Sequence, residues 1–199
     1  MTLSAPVFPQ NGYPFTLDTA VCYTVVSDGL QVRHTVRNVG SACAPVAVGA
    51  HPFLQIGDVP TDSLTLTVSA DRHIDVDERL NPVGATPVRG TVWDLREGQL
   101  VATLDLDDAW SEVNIAGGGS THWLSAPDGR TVSLWADEQF GYVQVFITRE
   151  FPRWGTAVAV EPMTAPADAF NSGEGLRWLA PGECWSMSWA IRYHDAKAR

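Results

Sequence analysis

Apolar residues recur along this chain with period two or in short unbroken runs. No segment of helical length carries a 3.6-residue apolar period. The clearest alternation lies near the end, at 184–193, where Trp185, Met187, Trp189, Ile191 and Tyr193 share one face of a strand. Residues 30–39 alternate likewise, with Leu30, Val32, His34 and Val36 opposed to Gln31, Arg33, Thr35 and Arg37. Ser27-Asp28-Gly29 turns the preceding strand, 16–26, into this one and makes a hairpin with one buried face. His34 falls on its apolar side and is expected to be a hydrogen-bonded core histidine. Further strands are predicted at 46–48, 64–69, 93–95, 100–104, 131–135, 142–148 and 176–179. In the stretch 142–148, Val143, Val145 and Ile147 oppose Gln144, Phe146 and Thr148. The short strands and Gly/Pro turns predict an all-β fold, a large antiparallel β-sandwich.

The run TAVAV at 156–160 does not alternate, so it predicts a strand buried on both faces. It stops at Glu161, because Pro162 biases Glu161 to an extended backbone and removes the next ladder donor. A carboxyl at the mouth of a rigid strand is well held. Partial burial should raise its pKa toward the range of a general base. The bland reading is a glutamate that caps a sheet rim. The short strand 46–48 repeats the device, since Gly49-Ala50 leads to His51, locked by Pro52. One acid and one imidazole at two such stops suit an acid/base pair. Sequence alone does not bring them together.

At 199 residues and 45% hydrophobic, the chain is long enough for a sizeable core and is expected to be one domain, 1–199. The net charge of -10 argues against nucleic acid and against an anionic membrane as partners. Three widely spaced cysteines make neither a disulfide framework nor a zinc site. With no apolar stretch of membrane-spanning length and no signal-like opening, a soluble, cytoplasmic protein is expected. His73 stands among Asp71, Asp75 and Asp77 without a recurring ligand spacing, so residues 71–90 are read as a solvated acidic loop with brief strand pieces. Gly117-Gly118-Gly119 reads as a flexible tip lacking the Lys and Ser/Thr of a phosphate loop, with His122 exposed beside it.

Five motifs then occur in order: GYPF at 12–15, GAHPF at 49–53, LDLDDAW at 104–110, VEPMTAPADAF at 160–170 and LAPGE at 179–183. Together they resemble the aldose 1-epimerase (galactose mutarotase-like) family, over essentially the whole chain, and most closely its bacterial branch with an HP-[YF] motif. The resemblance implies a galactose mutarotase-like supersandwich whose concave face binds a free hexose. It implies Glu161 as general base, His51 as general acid and Asp107, rather than Asp105, as a carboxylate for substrate hydroxyls. Trp110 and Phe53 are the implied aromatic contacts to the sugar. No metal and no organic cofactor is implied. Family members carry roughly a further third of chain before the GYPF motif, including an Asn-Arg and a His-Gly motif whose roles no residue here inherits. A fold without those strands is expected to leave a sheet edge uncovered and to favour a homodimer.

Three readings follow from the same residues. The first is an epimerase acting on free hexoses, or on hexose 6-phosphates, which the scarcity of Lys and Arg disfavours. The second is a sugar-binding or regulatory remnant that keeps the fold with an incomplete site. The third is a glycoside hydrolase pairing Glu161 with Asp107, a scheme that gives the His-Pro motif no role.

Overall fold

A computed structural model describes residues 1–196. Its strands, in chain order, are β1 (Thr2–Val7), β2 (Leu17–Val26), β3 (Gly29–Asn38), β4 (Ala44–Val46), β5 (Phe53–Leu54), β6 (Thr65–Thr67), β7 (Ala70–Val76) and β8 (Pro82–Pro87). They continue as β9 (Gln99–Leu100), β10 (Asp107–Val113), β11 (Gly119–Ser125), β12 (Thr131–Asp137), β13 (Tyr142–Phe151), β14 (Gly155–Met163), β15 (Arg177–Leu179) and β16 (Cys184–His194). One helical turn, α1 (Ala169–Ser172), follows β14. No helix among the described residues is long and apolar enough to cross a membrane.

The strands form an antiparallel sandwich. One sheet has the order β1-β2-β3-β16-β12-β11-β6-β9, the other β5-β14-β13-β10-β7-β8, with β15-β4 as a small ribbon. Both large sheets contribute to the apolar core: Val32, Leu134, Met187 and Trp189 from the first, Val143, Val145, Val158 and Val160 from the second. The alternation of β16 holds over its first part, with Trp185, Met187 and Trp189 buried and Ser186 exposed, but fades toward its end, where Ala190 is buried and Tyr193 exposed. β14 is buried from Thr156 to Val160, as its unbroken run requires. Val158 and Val160 join the core, whereas Ala159 sits between its register partners Phe53 and Phe146. The β2–β3 hairpin needs Gly29, because a Cβ there would stand 2.0 Å from the Ile191 carbonyl oxygen. His34 is half-buried rather than in the core; the expected hydrogen bond is present, accepted from Trp189 Nε1 at 2.9 Å.

Several expectations need correction. Residues 71–90 are not a loop. β7 and β8 pair through this region, and the charged residues that hid the strands are matched side by side, as where Thr86 donates to Asp75. The expected strand 93–95 is a turn, closed by Leu95 N–H to the Trp93 carbonyl. The expected strand 100–104 is a two-residue pairing followed by a 3-10 turn, Val101–Thr103. The triple glycine is no free tip. Gly117 and Gly118 take positive φ in a tight turn, and Gly119 opens β11 against Asp137, where a Cβ would stand 2.2 Å from the Ala136 carbonyl oxygen. His122, two positions past Ser120 on β11, is accordingly buried rather than exposed.

Candidate active site

Three adjacent strands of the smaller sheet present one polar face. The register places Glu161 (β14) opposite Gln144 (β13), Gln144 opposite Ala109 (β10), and Phe146 opposite Asp107. Cross-strand partners and residues two apart project to the same side, so Glu161, Gln144, Phe146 and Asp107 share it. The opposite side of the same strands carries Val143, Val145, Val158 and Val160 into the core, which fixes the polar face rigidly.

The His51 segment is strung along β14. Ala50 N–H donates to the Pro162 carbonyl and Val160 N–H to the Pro52 carbonyl, both at 3.2 Å, before Phe53 and Leu54 pair with Ala159 and Val158. The two proline-locked stops therefore lie side by side. His51 Nε2 stands 3.0 Å from Glu161 Oε1, with the carboxylate side chain 12% exposed and the imidazole 53%. Burial pushes the Glu161 carboxyl above its ordinary range. His51 pulls it back and the Asp107 charge pushes it up again, so the net shift is upward. Phe53 and Phe146 flank the imidazole, their ring centres 5.1 and 6.1 Å from it.

In front of this pair opens a cleft of about 490 Å³, within the range of small-molecule sites. Its polar lining is His51, Glu161, Gln144, Asp107 and Asp108; its apolar lining includes Ile74, Leu80, Phe146, Met163 and Pro166. Among the described residues no lysine or arginine lines it. Gln144 Nε2 donates to Asp107 Oδ1 at 2.7 Å.

Of the residues singled out in the sequence, Glu161, His51 and Asp107 come together on the cleft. Asp105 is exposed and does not line it. Phe53 is 37% exposed and stands behind His51, packed at 4.8 Å on Phe151 along a smaller neighbouring groove. Trp110 is a correction. It is 1% exposed, lies in the core, and donates from Nε1 to the Trp93 carbonyl at 3.1 Å. Both residues lie on β10, and positions three apart on a strand face opposite sides, so Asp107 and Trp110 do not serve one ligand. Gln144, Phe146, Met163 and Asp108 were not singled out, although the alternation at 142–148 had already set Gln144 and Phe146 on the face away from the valines.

Asp108 leads to a second cluster. His73, expected on a solvated face, is 4% exposed, with Nε2 2.7 Å from Asp108 Oδ1 and Nδ1 3.2 Å from Asp75 Oδ1.

Solved structures share this architecture. A galactose mutarotase-like protein from Clostridium acetobutylicum superposes with a TM-score of 0.81 at 18% identity, over 98% of this chain and 62% of its own. The GalM/aldose epimerase homologue of C. elegans gives 0.83 at 18% identity, over 98% and 66%. These likenesses establish a galactose mutarotase-like sandwich. The sequence adds the family, because the aldose 1-epimerase profile matches residues 2–192. This chain belongs to the aldose 1-epimerase family. It is 32% identical to the uncharacterized protein YihR of Escherichia coli K12 over 92% of the chain. It is 33% identical to human galactose mutarotase over 44% of the chain. The chain spans 58% of the length of the first of these relatives and its match covers 26% of the second.

Proposed function

We propose that this protein interconverts the α and β anomers of a free, uncharged aldose, a hexose by the size of the cleft, through acid/base ring opening. The observation that carries the reading is the 3.0 Å contact between His51 Nε2 and Glu161 Oε1 at the cleft wall. The hydroxyl oxygen and the ring oxygen of a cyclic aldose hang on the same carbon, so one acid and one base side by side meet both. Glu161 takes the proton from the C1 hydroxyl while His51 gives a proton to the ring oxygen. The C1–ring oxygen bond breaks and the C1 carbonyl forms. The aldehyde turns about C1–C2, and closure runs the transfers backwards, which restores both groups and gives the other anomer. Burial of Glu161 raises its basicity for the first step. Asp107, held by Gln144, accepts a remote sugar hydroxyl. A lining that has three carboxylates and, among the described residues, no lysine or arginine speaks against a sugar phosphate.

The test is polarimetry on freshly dissolved α-D-glucose and α-D-galactose. The protein should speed the drift to equilibrium, and Glu161→Gln should lower kcat by about 100-fold or more, the scale of a lost general base. A folded wild-type chain that produces no acceleration would leave a sugar-binding protein without catalysis. Release of chromophore from an aryl glycoside would point instead to hydrolysis.

A further inference from the structure

Two buried histidines take no part in ring opening, and their surroundings differ. His122 meets the Ser69 amide at Nδ1, 3.1 Å away, and the Ser120 hydroxyl at Nε2, 3.4 Å away. A neutral ring satisfies both. His73 instead meets a carboxylate at each nitrogen. A neutral imidazole carries one N–H, so one carboxylate would face a nitrogen lone pair; only the imidazolium donates to both.

The second oxygens of the two acids support the same assignment. Asp75 Oδ2 accepts from Thr86 Oγ1 at 2.7 Å, and Asp108 Oδ2 accepts from the Asp107 amide at 3.2 Å. Both carboxylates are acceptors at each oxygen, which places the proton on the ring. Trp93 stacks on that ring at 3.9 Å and 12°, a favourable seat for a cation, and Trp110 meets it edge-on. The titratable groups facing it are Asp75 on its own strand and Asp108 on β10; β8 offers Thr86 and the 91–95 turn offers Trp93. Burial alone lowers the His73 pKa, but the hydrogen bonds to Asp108 and Asp75 outweigh it and the net shift is upward.

We infer that His73 is a buried imidazolium that positions the start of β10 at the cleft, fixing Asp108 directly and Asp107 through the Asp107 amide. The chain of contacts runs from Asp75 through His73 and Asp108 to Asp107 and ends at Gln144 in the cleft. This role rests on the reading of the cleft as an aldose site. The positive charge also offsets the repulsion of two consecutive aspartates, Asp107 and Asp108, that line the cleft.

Nitrogen-15 NMR of the wild-type protein tests the charge without reference to activity, with the resonances assigned by their absence in His73→Gln. At about pH 7, above the ordinary histidine pKa, both ring nitrogens of His73 should still be mostly protonated. A neutral tautomer there would overturn the inference. In His73→Gln the Asp107 amide proton should shift upfield as its acceptor loosens, and KM for the aldose should rise about tenfold with a smaller change in kcat, the pattern of lost binding. A folded variant with unchanged KM and an unmoved Asp107 amide would sink the positioning role. A doubly protonated His73 in a wild-type protein that does not mutarotate would refute the aldose reading while the imidazolium assignment stands.

Discussion

Gln144 joins the two carboxylate strands of the cleft: it is the register partner of Glu161 on β14 and donates to Asp107 Oδ1 on β10 at 2.7 Å. The amide orients Asp107 without adding charge beside Glu161. Gln144→Leu removes a hydrogen bond to a charged acceptor, a contact with a typical net value of about 1.5 kcal/mol or more, or roughly tenfold. KM for the aldose should rise by about that factor with little change in kcat. Gln144→Glu should be worse, because it sets a third carboxylate between two others. Steady-state polarimetry on both variants checks the order.

The same geometry sets a pH dependence. In the proposed role of base Glu161 must be ionised, so kcat/KM should fall as the pH drops through its raised pKa, at a pH above the ordinary glutamate value of 4.5. Asp107 contributes to that elevation by like-charge repulsion. Asp107→Asn should therefore move the acidic limb to lower pH, besides weakening binding. A pH–rate profile in which the limb stays in place would separate Asp107 from the titration of Glu161.

Trp110 belongs to stability rather than to the ligand. Trp110→Ala opens a large cavity and strands the Trp93 carbonyl, at a cost of about 3–5 kcal/mol. For a chain of this length the melting temperature should drop by on the order of 10 °C. Trp110→Phe keeps most of the volume and should lose much less, with KM for the aldose near wild type. Calorimetry alongside polarimetry distinguishes this from a stacking role, which would raise KM with little change in melting temperature.

What was legible follows from where the chemistry is local. The unbroken run at 156–160, the alternation of β16 and the two proline stops after His51 and Glu161 are properties of short segments, and each reads directly from residue types. The face carrying Gln144 and Phe146 was legible too, as the complement of Val143 and Val145. β7 was not, because its inward residues include His73, whose burial depends on Asp108 arriving from β10, 35 positions later. β11 was hidden in the same way. Its inward positions are Ser120, His122 and Leu124, and only the last is apolar. The meeting of His51 with Glu161 is a long-range consequence of the 49–54 segment lying on β14, and no period within either motif encodes it.

His122 gives the pH dependence of stability opposite to that of His73. Burial lowers its pKa from the ordinary 6.5 to about 4. Between those values the unfolded chain binds a proton that the folded one refuses, so stability falls as the pH drops from 6.5 toward 4. At about 1.4 kcal/mol per unit, the loss by the lower end is roughly 3 kcal/mol. His73, with its pKa raised, contributes stability that is fully present below 6.5 and is lost as the pH climbs through its folded value. His122→Gln can accept from the Ser69 amide without a titrating ring, so it should flatten the acidic side of the stability curve while leaving the alkaline side as in the wild type. Urea titrations at a series of pH values read this directly. An acidic slope that survives in the variant would assign the loss to other groups.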